Sequence, residues 1–206
     1  MKTTTIVLSV YIAISPVFGI SADLSENQFQ KTATEAVAGM DMRTIYLLTK
    51  GLKHDTSADA FKKCEAAAEV LLRLIDKDFD PSKSPAMNVR PPASANWLSG
   101  GSDPAGIKDP VVRAEYEKAI AETRAIADHH LIQSTLCDEV VGLLEHANLL
   151  RSNVEGARKT KPEIEAQVKT FVSQRKGTEA AGDVVLKWLR IRRPTVLPID
   201  KGTSPK

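Results

Sequence analysis

The sequence predicts an all-α protein, an irregular bundle of about four to six helices with one long Pro-rich connection. Three observations lead there. Apolar residues recur at intervals of three and four in several segments, and no segment alternates apolar with polar as a half-buried strand would. Aromatic residues make up only 5% of the chain, so Leu, Ile, Val and Ala must fill the core, a set that suits helix-on-helix packing. No internal repeat at solenoid periods is evident.

Residues 1–22 read as a signal peptide. Lys2 gives a minimal positive start, Ile6 to Ile14 form an apolar run, and Pro16 precedes the small residues Gly19, Ser21 and Ala22. The expected mature chain begins between Ile20 and Asp23, with Asp23 preferred; an uncleaved anchor is the alternative. No later stretch reaches the roughly 18 apolar residues of a membrane span. The expectation is a secreted or periplasmic protein, not integral to the membrane after cleavage, with one helical domain over 23–193 and a loose tail over 194–206.

Ser25 with Gln28 forms a capping-box pattern, and Phe29, Ala33, Ala36, Val37, Met40, Leu47 and Leu48 continue at helical spacing up to a stop at Gly51. The next helix starts near Thr56 or Ser57, with Phe61, Cys64, Ala68, Leu71 and Ile75 on one stripe. Prolines 81, 85, 91, 92, 104 and 110 with Gly100 and Gly101 make 79–109 a long loop; Trp97 and Leu98 either cover a core edge there or meet a ligand. Asp109-Pro110 is a strong helix start, followed by a face through Val112, Tyr116, Ile120, Thr123 or Ala127, and His130. That helix either runs on past Cys137 or restarts at Ser134 or Thr135. After a turn over 153–161, Pro162 opens a helix whose buried stripe is Ile164, Val168, Phe171 and Val172. Gly177 breaks the chain, and the last helix runs from Thr178 or Asp183 to Arg193, before Pro194.

The phrase from Gly101 to Ile120, with Asp103-Pro104, Ile107-Lys108-Asp109-Pro110, Arg113, Tyr116-Glu117 and Ala119-Ile120, resembles one found in uncharacterised exported bacterial proteins of similar size. The resemblance implies a bacterial source and carries no activity or site residue.

Net charge is +2, but unevenly spread: acidic residues outnumber basic ones 20 to 14 from Asp23 to Leu150, and basic outnumber acidic 13 to 6 from Arg151 to Lys206. Either the two halves attract each other or the basic end meets an external polyanion. The sharpest basic feature is Lys187-Trp188-Leu189-Arg190-Ile191-Arg192-Arg193, which reads as an interaction surface for anionic polymer or membrane, or as a core helix with cations in its last turn. With Trp97, residues Lys187, Trp188, Arg190, Arg192 and Arg193 form the candidate interaction surface.

Cys64 and Cys137 are the only cysteines, and in an exported chain they are candidates for a disulfide; buried reduced thiols are the alternative. His130, Cys137 and His146, with His129 nearby, are candidate metal ligands, although neither His-Glu-x-x-His nor Cys-x-x-Cys is present. Nucleophile-elbow, phosphate-loop and dinucleotide-binding motifs are absent, so no catalytic residue and no cofactor is expected. The sequence favours an exported non-catalytic interaction or structural module of the periplasm, envelope or medium, with a protein or anionic envelope polymer as partner and no nucleic acid. A small enzyme or metal-binding protein centred on His129, His130, Cys137 and His146 is the alternative.

Overall fold

In the computed structural model, which describes residues 25–83, 85, 103–152 and 160–192, the regular elements are helices and no strand occurs among the described residues. Helix α1 (Glu26–Ala38) starts as a capping box: Gln28 N–H donates to Ser25 Oγ at 3.3 Å while Ser25 N–H donates to Gln28 Oε1 at 3.0 Å. It does not continue to Gly51. The chain breaks at Gly39 and Met40, whose φ of 54° lies in the left-handed region, and Asp41 then caps α2 (Met42–Lys53) by accepting Thr44 N–H at 3.0 Å and Thr44 Oγ1–H at 2.6 Å. Those bonds from Thr44 hold the Asp41 carboxyl below its ordinary pKa. Gly51 lies inside α2 and stops nothing.

The turn into α3 (Ala60–Leu74) is organised by Asp55, which accepts Ser57 N–H and Lys63 Nζ–H, each at 2.8 Å. The Lys63 ammonium, followed by the Ser57 donors, lowers the Asp55 pKa to about 2. Cys64, Ala67, Ala68 and Leu71 are buried along α3, and the small side chains of the first three suit close packing in a helix whose largest interface is with α4 (Pro110–Ser152).

Asp109 opens α4 as expected, its Oδ1 accepting Val111 N–H at 2.8 Å, and Arg113 folds back to donate from Nε to the carbonyl of buried Ile107 at 2.9 Å. The helix then runs unbroken for 43 residues, about 65 Å, without restarting at Ser134 or Thr135. Its two halves differ. From Pro110 to Leu131 only Tyr116 is buried, and Val111, Ile126 and Leu131 are exposed; from Ile132 to Ala147 most positions lie in the core.

Helix α5 (Lys161–Ser173) starts with a capping box between Thr160 and Glu163, and buries Ile164, Val168, Phe171 and Val172. Gly177, at φ 81°, turns the chain into α6 (Glu179–Arg192), which buries Ala181, Gly182, Val184, Val185, Leu186, Trp188 and Leu189. Helices α2, α3, α5 and α6 all pack on α4, while α1 rests on α2 and α3. No helix among the described residues is long and apolar enough to cross a membrane. The signal segment, most of the 79–109 loop with Trp97, Arg193 and the 194–206 tail lie outside the described residues.

Helices α5 and α6 pack tightly at Gly182, where a Cβ would stand 2.7 Å from one Val172 methyl and 2.8 Å from the other. Because Val172 is β-branched and held in the core, Gly182→Ala must push the helices apart. Urea titration should find the variant destabilised by about 1–3 kcal/mol; an unchanged midpoint would mean the two helices have room to separate.

Candidate functional site

The most buried charged side chain of α4 is Glu139, with an 11% exposed side chain facing α2. Its Oε2 accepts Thr49 Oγ1–H and Lys53 Nζ–H, each at 2.5 Å, so the carboxylate is paired and hydrogen-bonded as burial demands. Gly142, one turn on, leaves the path for Lys53: a Cβ there would lie 2.9 Å from Nζ. His146 comes next along this face, and its Nε2 is buried without a hydrogen-bond partner among the described residues. Burial, with the nearby charges of Lys53 and His54, lowers the His146 pKa, so the ring is neutral at physiological pH. The cluster ties α2 to α4 around one internal ion pair.

The expected disulfide is not formed. Cys64 and Cys137 are both free and fully buried. Cys64 Sγ donates toward Leu52 O at 3.7 Å, and Cys137 lies among apolar neighbours in the core. Desolvation pushes the thiols up to about 11 and about 12, the reverse of what a nucleophile requires. Both act as small apolar side chains.

The histidines do not assemble a metal centre. No group of three or more His, Cys, Asp or Glu side chains placed to hold an ion occurs among the described residues, so His130, Cys137 and His146 are not brought together. His129 Nε2 instead lies 3.3 Å from Asp76 Oδ2, and His130 packs edge-on against Phe79 with ring centroids 5.1 Å apart. His130 Nδ1 is 3.4 Å from Ser134 Oγ.

The basic end is largely absorbed by the fold. Trp188 is 3% exposed, and its Nε1–H donates to Asp138 Oδ1 at 2.8 Å, so it is a core residue and not part of a surface. Lys187 bonds Asp80 at 2.6 Å, which drives the Asp80 carboxyl far below its ordinary pKa, and Arg190 lies 3.6 Å from Glu165. Arg192 stacks over the Trp188 ring at 4.8 Å. Of these cations only Lys187 pairs with the acidic body, at Asp80; Arg190 meets Glu165 within the basic half, and Arg192 an aromatic ring.

A cleft of about 460 Å³ opens where α3, the end of α4 and α5 meet. Leu144 and Phe171 form its apolar floor, and the polar lining comes from Glu65 on α3, Asn148 and Arg151 on α4, and Gln167, Thr170 and Gln174 along α5. The last three recur at three and four residues and flank the buried stripe of α5 on the side of Phe171, with Gln174 just past the helix end. Behind the cleft runs an alternating charge chain: Arg151 to Glu65 at 2.7 Å, Glu65 to Arg175 at 3.9 Å, Arg175 to Glu69 at 3.0 Å, and Glu69 to Arg73 at 2.7 Å. Sequence reading missed this site. Its signal was a polar stripe on a helix whose other face is apolar, a pattern shared with every solvated helix face.

Comparison with protein-family models, with curated proteins and with solved structures finds no match.

Two measurements test these assignments. Lys53→Met strands the Glu139 carboxylate and should cost about 2–3 kcal/mol, below the value for a fully buried pair because Lys53 is 28% exposed; adding Glu139→Gln should recover most of the loss in the same chemical melt. Raised thiol pKa values imply that, at pH 8, native Cys64 and Cys137 alkylate with iodoacetamide at least about 100-fold more slowly than in denaturant. Linkage has the corresponding sign: the stability from protonated thiols is full below the unfolded value near 9.0 and is lost as pH rises through about 11 to 12.

Proposed function

We propose that this chain is an exported, non-catalytic helical interaction module whose partner is a protein that docks in the α3–α4–α5 cleft. The observation that carries the reading is the cleft lining: amide, hydroxyl, carboxylate and guanidinium side chains from three helices converge over a small apolar floor. Such a set recognises by hydrogen bonds and charge on a rigid support. A second cleft of about 220 Å³, walled by Phe29, Leu48, Leu52 and Ala67, offers chiefly the edge of the core. The engagement of Lys187 with Asp80 and of Arg190 with Glu165 weakens the case for an anionic polymer at the basic end. Export rests on the signal-like segment from Lys2 to Ala22.

Native mass spectrometry of the protein recovered from the exported fraction of producing cells tests both parts. The expected result is a chain beginning between Ile20 and Asp23 that retains a bound partner, with the partner lost in Thr170→Trp, which fills the cleft from an exposed position of α5. A chain that keeps residues 1–22 overturns cleavage and leaves the uncleaved anchor, and absence of the chain from that fraction overturns export. A partner retained equally by Thr170→Trp removes the cleft.

A further inference from the structure

From Pro110 to Leu131, about 33 Å of α4 buries a single side chain, Tyr116. Val112, Ile120 and Thr123, which share its side of the helix, are half-buried. The opposite side is open. There Val111, Ala114, Lys118, Ala121, Ala125 and Asp128 recur at three and four residues, and all six are exposed. This is the spacing of a seam between two helices. Four of the six are apolar, and the Lys118 stem is long enough to lie along such a seam with its ammonium in water.

One edge of this stripe selects what can cover it. Pro110, Glu117, Arg124 and Leu131 follow one another along that edge at intervals of seven, and all are exposed. Neither Glu117 nor Arg124 has an ion pair among the described residues. Read backwards, the edge runs apolar, cation, anion, apolar, the complement of itself. A two-fold axis that pairs two such helices antiparallel brings each edge against its own copy. Glu117 then meets Arg124 of the second copy, Pro110 meets its Leu131, and symmetry makes each contact twice. The axis that does this passes between Ile120 and Ala121, which is also the midpoint of the stretch from Pro110 to Leu131. The two uncovered halves therefore overlap along their whole length, and each bundle lies beyond the other copy's Pro110.

Within the seam the same arrangement sets Ala114 opposite Ala125 of the second copy and Lys118 opposite its Ala121. On the far edge Glu115 approaches Glu122 of the second copy, and Lys118, 3.9 Å from Glu122 in its own chain, lies between them. Parallel pairing would instead place Lys118 on Lys118, Asp128 on Asp128 and Glu117 beside Glu122. The open side carries four carboxylates, Glu115, Glu117, Glu122 and Asp128, against the cations Lys118 and Arg124, so it repels a polyanion or an anionic bilayer. A strip about 33 Å by 10 Å on each copy comes to about 650 Å² in all, below the roughly 1,200 Å² of a standard interface, so the contact is weak and depends on concentration.

We infer that a second copy of this chain docks antiparallel along the open side of the first half of α4, its register set by Glu117 and Arg124. This surface is separate from the α3–α4–α5 cleft and does not depend on what the cleft binds.

Sedimentation of the full mature chain from about 10 μM to 1 mM in low salt should show a reversible monomer–dimer equilibrium. Glu117→Arg and Arg124→Glu should each weaken it at least about tenfold, because each turns two attractive contacts into two repulsive ones. The double variant Glu117→Arg/Arg124→Glu should return to within about threefold of the parent, and an equimolar mixture of the two single variants should associate where neither does alone. Melting temperatures should stay close to the parent, since both side chains are exposed. With a short bismaleimide, Ala114→Cys and Ala125→Cys should cross-link to each other when mixed and not to themselves. A monomer at every concentration, a dimer indifferent to the charge reversals, or cross-linking of either cysteine variant to itself each overturns the inference.

Discussion

The bundle depends on the second half of α4 being apolar over most of its circumference. Ile132, Leu136, Cys137, Val140, Val141, Leu143, Leu144 and Ala147 are all buried, a spread too wide for one helix face to cover. Four helices must therefore pack around this stretch to dry it, and α2, α3, α5 and α6 do so. Such burial is strong but non-directional; it fixes neither which neighbour lies where nor at what height. Polar groups supply that selection. Glu139 ties α4 to Thr49 and Lys53 of α2, Asp138 receives the indole N–H of Trp188 on α6, Gln133 receives Asp76 N–H after α3, and Gln167 of α5 donates to Leu144 O. A shift of any neighbour by one turn would leave one of these groups buried and unpaired, at a cost of about 1–3 kcal/mol.

The same logic accounts for the uneven charge. Basic residues from the end of α4 onward and acidic residues of the body lie far apart in sequence but meet in space: Arg151 and Arg175 with Glu65, Arg175 with Glu69, and Lys187 with Asp80. Exposed pairs of this kind add little individually. Joined through the poorly exposed Glu65 and Arg175, they form a network that orients α5 against α3, two helices whose apolar faces are turned mainly toward α6 and α4.

Much of this fold was legible because helix starts are local chemistry. Ser25 with Gln28, Asp109 before Pro110, and Thr160 to Pro162 each supply caps from adjacent residues, and the stripes Cys64–Ala68–Leu71, with Phe61 half-buried at its start, and Ile164–Val168–Phe171 bury as their spacing requires. The break between α1 and α2 was harder to read. Gly39 and Asp41 were its signals, but the apolar spacing from Ala36 to Leu48 passes over them, and a left-handed Met40 is uncommon enough that no spacing rule announces it. Trp188 illustrates the other limit. Its basic neighbours suggest a surface, yet helical geometry puts Lys187 and Arg190 on a different side of α6 from Trp188, Val185 and Leu189. The cysteines fall in the same category, since equal burial on facing helices looks alike in sequence whether or not the Sγ atoms meet.

The cleft was illegible for a related reason: it forms where burial ends. Past Ala147 the residues of α4 that line the cleft are the polar Asn148 and Arg151, and Gln167, Thr170 and Gln174 line it from α5 and its end, so polar groups follow the apolar contact at Leu144. Each of these residues separately is an ordinary solvated helix residue. Only tertiary packing brings the amide stripe of one helix to the guanidinium at the end of another, with Glu65 of a third helix anchoring that guanidinium. A rigid apolar floor beneath polar walls limits how far the site can collapse when empty. The apolar spine that makes the bundle fold thus also sets the floor of the site, and the polar residues beyond its end set what that site can recognise.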